Sequence, residues 1–217
     1  MVVPHFLTSQ ILNHQGITHG FFTRQGGVCQ GLQDGMANDL SAGYSDDVDP
    51  KSITENRRRI ENEFGLPFVT AKQVHGAEVL TVTEPWDALK TPKEADGLVT
   101  NQPGLALGIL TADCGPILLA DPEMQVIGAC HAGWKGVKAG VIQATVAAMV
   151  ALGAQRRQIR AALGPCMGRV SYEVGMAFPD NFTGVLPHHR SYFRPGVSRD
   201  KLLFDICLLY TSDAADD

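Results

Sequence analysis

The sequence predicts a single α/β domain in which a central β layer, or a pair of β layers, is flanked by helices. Short apolar runs bounded by glycine and proline turns recur along the chain, as buried strands do. Two longer segments, residues 50–64 and 134–152, carry apolar residues at helical spacing. A length of 217 residues and a hydrophobic fraction of 44% suit one domain with its own core.

Both predicted helices have recognisable ends. Pro50 stands in the first turn of the 50–64 segment, and Gly65 follows its last apolar residue. Gly153 ends the 134–152 segment in the same way, because glycine adopts the left-handed conformation common after a helix. These signals set the helix boundaries.

The remaining apolar runs are too short for helices and are bounded by turns. They predict strands at residues 17–23, 68–75, 77–83, 105–110, 117–120, 126–131 and 159–163. A polar, glycine-rich stretch over residues 31–49 predicts a long surface loop.

Composition and charge argue against several classes of function. A net charge of −5 and a pI near 5.8 argue against a nucleic-acid-binding surface, which needs clustered lysine and arginine. The sequence contains no apolar stretch near the roughly 20 residues of a membrane-spanning helix, and its start lacks the order of a signal peptide. We therefore expect a cytoplasmic protein, favour a monomer, and expect no nucleic-acid or membrane partner.

Three of the predicted strands have a possible metal ligand at one end. They are His75 in Gln-Val-His-Gly, Cys114 in Thr-Ala-Asp-Cys and His131 in Cys-His-Ala-Gly-Trp. Because loops at strand ends converge into clefts, these side chains can meet in space. Two imidazoles and one thiolate suit zinc, and three protein ligands leave a fourth position open, as in catalytic sites. The alternative is a set of core residues, since no Cys-x-x-Cys or His-Glu-x-x-His motif is present.

Arg24, Lys135 and Asp113 complete the polar residues near the expected mouth of this site. Lys135 lies where a strand turns into a helix, and free backbone N–H groups there favour phosphate, although an ordinary tight connection has the same pattern. The forked guanidinium of Arg24 also suits phosphate. Asp113 has three open roles: it orients a metal-bound histidine, acts as an acid or base, or caps its own turn.

These stretches, in this order, resemble the YfiH family, also called the laccase-domain or multicopper polyphenol oxidase-like family. The resemblance covers most of the chain. Its further motifs are His-Gly-Phe-Phe-Thr-Arg-Gln-Gly-Gly at 19–27, Asn-Arg-Arg at 56–58, Ala-Asp-Gly-Leu-Val-Thr at 95–100, Leu-Gly-Pro-Cys at 163–166 and Tyr-Glu-Val-Gly at 172–175.

The resemblance implies a layered α/β/β/α fold of the YfiH, cysteine-hydrolase-like type and a zinc ion held by His75, Cys114 and His131. It also implies phosphorolysis of adenosine, inosine and methylthioadenosine, together with hydrolytic deamination of adenosine. Purine nucleosides and phosphate would then be the partners of the protein. Zinc would activate a water molecule for addition to C6 of adenine, and the C6 amino group would leave as ammonia after protonation, which accounts for the deamination.

The sequence departs from the family in two places and at its end. Gly115 stands where a larger apolar residue is usual, and Lys135 where arginine is usual, which removes the bidentate geometry for phosphate. The resemblance fades after residue 205. We expect residues 1–205 to form one C-terminally incomplete YfiH-like domain, and residues 206–217 to be a non-native or unrelated tail.

Three other functions remain open at this point. A metal-free Cys-His hydrolase acting in peptidoglycan precursor editing would use Cys114 as nucleophile and His75 or His131 as base. A polyphenol oxidoreductase would need copper, which a His2Cys site can bind, but seven scattered histidines do not form the His-x-His pairs of a multicopper laccase. A non-catalytic, redox-responsive protein would use Cys130 as its sensor.

Overall fold

The computed structural model describes residues 3–30, 37–43, 48–183 and 189–213. Within these ranges the strands are β1 (Phe6–Leu7), β2 (Phe21–Phe22), β3 (Gln25–Gln30), β4 (Ala37–Asp39), β5 (Phe68–Thr70), β6 (Val79–Thr81), β7 (Gly97–Thr100), β8 (Ala106–Gly108), β9 (Gly115–Asp121), β10 (Val126–Ala132), β11 (Arg160–Leu163), β12 (Glu173–Gly175), β13 (Phe193–Pro195) and β14 (Lys201–Phe204). The helices are α1 (Pro50–Phe64), α2 (Trp134–Lys138), α3 (Val141–Ala151) and α4 (Ile206–Asp213).

A five-stranded sheet in the order β11-β9-β10-β7-β6 lies at the centre of the fold. Its β9–β10 pair is antiparallel and its β6–β7 pair is parallel. Along β9, Ile117 and Leu119 belong to one buried cluster and Ala120 to another, because successive strand residues face opposite sides. The sheet is therefore covered on both faces, in agreement with the predicted layered α/β architecture.

Helix α3 covers one face of this sheet at two glycines. A Cβ atom on Gly97 of β7 would lie 2.8 Å from Thr145 Oγ1, and one on Gly128 of β10 would lie 2.8 Å from Met149 Sδ. Both helix residues are fully buried. The close approach of helix and sheet thus depends on positions without side chains.

The apolar segment 134–152 forms two helices, so the prediction of one continuous helix is wrong. The break lies before α3, where Gly140 has φ = 85° in the left-handed region. A right-handed helix cannot continue through that conformation. Helix α2 consequently contains only five residues, which weakens any dipole at its N-terminus.

Helix α1 has the bounds that the sequence predicts. The Asp49 side chain accepts a hydrogen bond from Lys51 N, and Pro50 occupies the start of the helix. Gly65 follows the helix with φ = 66°, and its N–H group donates to the carbonyl of Glu61. Local signals alone therefore determine this element.

Gly65→Ala is expected to lower the free energy of unfolding by about 1 kcal/mol, because a left-handed residue with a Cβ is strained. A Cβ at this position would meet nothing within 4 Å, so backbone strain is the main effect. Denaturant unfolding measures it, with Gly168→Ala as the matched control, since Gly168 also has open space and lies outside the left-handed region. Equal stability of the two variants would contradict the prediction.

The segment after residue 205 packs against the rest of the chain. Ile206, Leu209 and Tyr210 of α4 are between 0 and 3% exposed. The Tyr210 hydroxyl accepts a hydrogen bond from Gly115 N and donates one to the carbonyl of Ala132. These side chains bury apolar surface in the core, and the domain boundary at residue 205 stays a prediction. Residues 214–217 lie outside the described residues.

Among the described helices, none has both the length and the hydropathy that crossing a bilayer requires.

Candidate metal centre

Three side chains from separate parts of the sequence converge in the structure. The ligand atoms of His75, Cys114 and His131 all lie within 4.8 Å of one another. Cys114 Sγ is 3.9 Å from His75 Nε2, and the two imidazole rings are 4.8 Å apart with an interplanar angle of 73°. Within the described ranges, this is the one group of three or more possible metal ligands. The residues therefore meet as the sequence predicts.

The register of the β9–β10 hairpin brings two of these residues together. His131 pairs with Pro116, and Ala132 with Gly115, so the end of β10 lies beside the start of β9. Cys114 directly precedes that start. Two ligands that are distant in sequence therefore become neighbours through regular antiparallel pairing.

His75 reaches the same place from a turn between β5 and β6. Its backbone has φ = 60°, an uncommon value for a residue with a side chain. The buried carboxylate of Asp96 accepts hydrogen bonds from three consecutive N–H groups of this turn, those of Val74 at 3.0 Å, His75 at 3.0 Å and Gly76 at 2.7 Å. These bonds hold the strained turn, and the strand predicted over residues 68–75 is shorter than predicted, because β5 ends at Thr70.

His131 is held by the same carboxylate. Its Nδ1 lies 2.7 Å from Asp96 Oδ1, and both side chains are almost completely buried. Burial lowers the pKa of His131, although Asp96 opposes this effect. A neutral ring that donates from Nδ1 leaves the lone pair of Nε2 for a metal.

The third member, Cys114, requires a nearby cation in order to ionise. Burial raises the pKa of its thiol, and the negative charges of Asp113 and Asp96 add to that effect. The thiol of the bare cluster therefore stays protonated at neutral pH. A divalent cation held by these three residues would reverse this balance, because a coordinating thiol loses its proton.

The chain at Gly133 leaves no room for a side chain beside two of the three donors. A Cβ atom on Gly133 would lie 2.8 Å from His75 Cδ2 and 3.1 Å from Cys114 Sγ. Two imidazole nitrogens and one sulfur in this arrangement are the donor set that zinc prefers, with one coordination position left for another ligand. The residues present thus fit a zinc ion.

Two residues that sequence reasoning left without a role, Asp96 and Gln73, support the cluster. Gln73 Nε2 donates to the carbonyl of Leu110 at 2.7 Å, and Leu110 N donates to Gln73 Oε1 at 2.8 Å. This pair of bonds ties the turn of His75 to the chain that leads to Cys114. Both residues lie in motifs that carry the family resemblance, and their place in those motifs is the signal by which the sequence could have indicated their role.

The other predicted site residues are exposed side chains. Lys135 lies in α2, with its Nζ 5.7 Å from the centre of the Trp134 ring. The carbonyl of Asp113 accepts a bond from Met167 N, and that of Arg24, which precedes β3, accepts one from Leu40 N. The carboxylate in contact with the histidines is thus Asp96, and the roles predicted for Arg24, Asp113 and Lys135 stay predictions.

Comparison with known proteins agrees with the fold and the motifs. The family model described as multi-copper polyphenol oxidoreductase laccase matches residues 18–216, which include α4. The chain belongs to this family. Among solved structures, a Neisseria meningitidis family member is 30% identical with a TM-score of 0.85, covering 97% of this chain and 83% of that one. YfiH of Bacillus licheniformis has a TM-score of 0.81 at 24% identity, covering 91% and 76%, so the YfiH-like fold is confirmed.

Several curated relatives of this chain carry the name purine nucleoside phosphorylase. The one from Deinococcus radiodurans is 45% identical over 164 residues, which are 73% of this chain and 60% of that protein. One from Streptomyces griseus is 41% identical over 175 residues, 79% of this chain and 70% of that protein. The chain thus spans about three fifths of the length of the first relative.

Proposed function

We propose that this laccase-like family member is a zinc-dependent purine nucleoside phosphorylase that also deaminates adenosine. The observation that carries the proposal is the convergence of His75, Cys114 and His131 within 4.8 Å. The relatives named purine nucleoside phosphorylase support the substrate class. Adenosine, inosine and methylthioadenosine are the proposed nucleosides, with phosphate as the second substrate.

The three residues would hold zinc through two neutral imidazoles and one thiolate. When bound, zinc supplies Lewis acidity at its open coordination position. Cys114 contributes one negative charge, so the assembled centre keeps a net charge of about +1. Asp96 Oδ1 lies 2.7 Å from Nδ1 of His131, and Gln73 Nε2 donates to the carbonyl of Leu110 beside this cluster.

Phosphorolysis replaces the bond between C1′ and the purine nitrogen with a bond between C1′ and a phosphate oxygen. The phosphate needs a cation that stays charged at neutral pH. Lys135 is exposed in α2, two residues after Gly133, where an added Cβ would lie 2.8 Å from His75 Cδ2. Because α2 is so short, we assign the phosphate contact to the lysine charge, with Arg24 as its partner, and not to the helix terminus.

The ring of Trp134 packs against other aromatic side chains, so it is a poor candidate for stacking on the purine base. The ring packs edge-on against Phe178 and Phe182 at centroid distances of 5.0 and 5.8 Å. Such contacts are typical of aromatic core packing. The purine is therefore expected to be recognised by other groups.

Zinc-loaded protein is expected to release adenine from adenosine only when phosphate is present, as measured by chromatography. Inosine formed without phosphate would demonstrate the deaminase activity. In the same assay, Lys135→Met should raise the KM for phosphate about tenfold, because a charged hydrogen bond is lost. Lys138→Met, an exposed lysine on the same helix, is the matched control and should leave that KM unchanged.

Absence of any product from folded, zinc-loaded protein would refute the nucleoside assignment. An equal rise in KM for both lysine variants would refute the phosphate role of Lys135.

The rival functions receive less support from the site. A Cys-His hydrolase needs an ionised thiol, whereas burial raises the pKa of Cys114, and its Sγ makes only a long contact of 3.9 Å with His75 Nε2. A redox sensor needs an accessible thiolate, but Cys130 is fully buried and burial raises its pKa to about 12.

A further inference from the structure

Asp96 combines complete burial with an unusual number of partners. Its side chain is 0% exposed. Oδ1 accepts from the imidazole of His131 and from the N–H of His75, and Oδ2 accepts from the N–H groups of Val74 and Gly76. Its own carbonyl accepts the N–H of His131 at 2.7 Å. One residue thus contacts both histidines of the cluster.

We propose that Asp96 is the positioning residue that fixes both histidines in the orientation needed for metal binding. The carboxylate selects the ring form of His131 that donates from Nδ1, so that Nε2 faces the cluster as an acceptor. It also holds the left-handed turn that brings His75 to the same place. The inference rests on the proposed function only in taking the cluster as a metal site.

Only an acceptor without protons can serve all four donors. An ionised carboxylate offers lone pairs on both oxygens, whereas an asparagine amide replaces one oxygen with an NH2 donor. In Asp96→Asn, the amide NH2 would replace either Oδ2 and face the N–H groups of Val74 and Gly76, or Oδ1 and face Nδ1 of His131 together with the N–H of His75. The first arrangement opposes donors to donors, and the second moves the ring proton to Nε2, which then cannot bind a metal.

Asp96→Asn is expected to weaken zinc binding about 10- to 100-fold in competition with a chromophoric chelator. Nitrogen-15 NMR of the metal-free protein gives a second readout. Wild-type His131 should carry its proton on Nδ1, and the variant should show the Nε2–H form or an exchanging ring.

Asp121→Asn is the matched control. Asp121 is also 0% exposed and accepts hydrogen bonds from three backbone N–H groups, those of Glu123, Met124 and Gln155, but it contacts no histidine in the described structure. This substitution should lower stability while zinc affinity and the His131 ring form stay unchanged. If Asp96→Asn lost zinc affinity only because the fold is less stable, Asp121→Asn would lose zinc affinity to a similar degree.

Unchanged zinc affinity and an unchanged ring form in Asp96→Asn would overturn the proposal. So would an equal loss of zinc affinity in Asp121→Asn. If Asp96→Asn does not fold, the wild-type spectrum still decides, since an Nε2–H ring at His131 contradicts the proposed orientation. If wild-type protein bound no zinc, the proposed function would fail, while the Nδ1–H ring would still support the positioning role of Asp96.

Discussion

Cys114→Ala is expected to abolish stoichiometric zinc binding and to lower kcat/KM for adenosine phosphorolysis at least about 1000-fold. The substitution removes the one anionic ligand and leaves two neutral imidazoles, which hold a divalent ion weakly. Loss of Lewis acidity removes several kcal/mol of transition-state stabilisation, and each 1.4 kcal/mol is about tenfold in rate. Metal analysis of the purified variant and steady-state kinetics measure the two effects.

Cys130→Ala provides the matched control for this experiment. Cys130 directly precedes His131 in β10 but belongs to the buried core cluster on that strand. Its loss should reduce stability without changing zinc content. A Cys114→Ala variant with full zinc and activity would show that the cluster is not the site. A wild-type enzyme that is active without metal and inactive in Cys114→Ala would instead favour the Cys-His hydrolase.

Gly133→Ala is expected to weaken zinc binding and nucleoside cleavage by about 10- to 100-fold, because one added methyl group displaces two ligands. The backbone at this position has φ = −75° and ψ = 158°, which alanine adopts without strain. The new Cβ would meet His75 Cδ2 at 2.8 Å and Cys114 Sγ at 3.1 Å, and such overpacking typically costs about 1–3 kcal/mol.

Chelator competition and kinetics on Gly133→Ala separate the effect on the centre from an effect on the fold. Gly175→Ala is the control, because a Cβ there would meet nothing within 4 Å. That variant should match wild type in zinc affinity and activity. If Gly133→Ala also matches wild type, then the ligands must have space to move, contrary to the crowding seen around them.

Several elements were predictable from sequence because their signals are local. Helix α1 carries its own cap and stop, and the apolar runs of β9 and β10 are bounded by turns. Cys114 and His131 were predictable because each is a metal-binding residue type at or beside a strand end, whereas His75 lies on a turn beyond the end of β5. In each case the interactions that determine the local structure join residues close to one another in sequence.

Other features depend on contacts that no local pattern contains. The apolar spacing continues across Gly140, so the helix break there depends on the backbone conformation adopted in the packed fold. Asp96 and His131 are 35 residues apart and meet only because β7 pairs with β10 in a register that places Cys130 opposite Gly97. A turn aspartate beside a ligand, such as Asp113, was therefore the more visible candidate in the sequence.

The three ligands differ in how firmly the fold holds them. Cys114 and His131 belong to one hairpin at the centre of a sheet, whereas His75 is exposed on a turn anchored chiefly by side chains. Local opening requires least free energy where buried apolar contacts are few, which is at the turn. The hairpin would thus determine how tightly an ion is bound. Local opening of the His75 turn would determine how fast the bound ion exchanges with ions in solution.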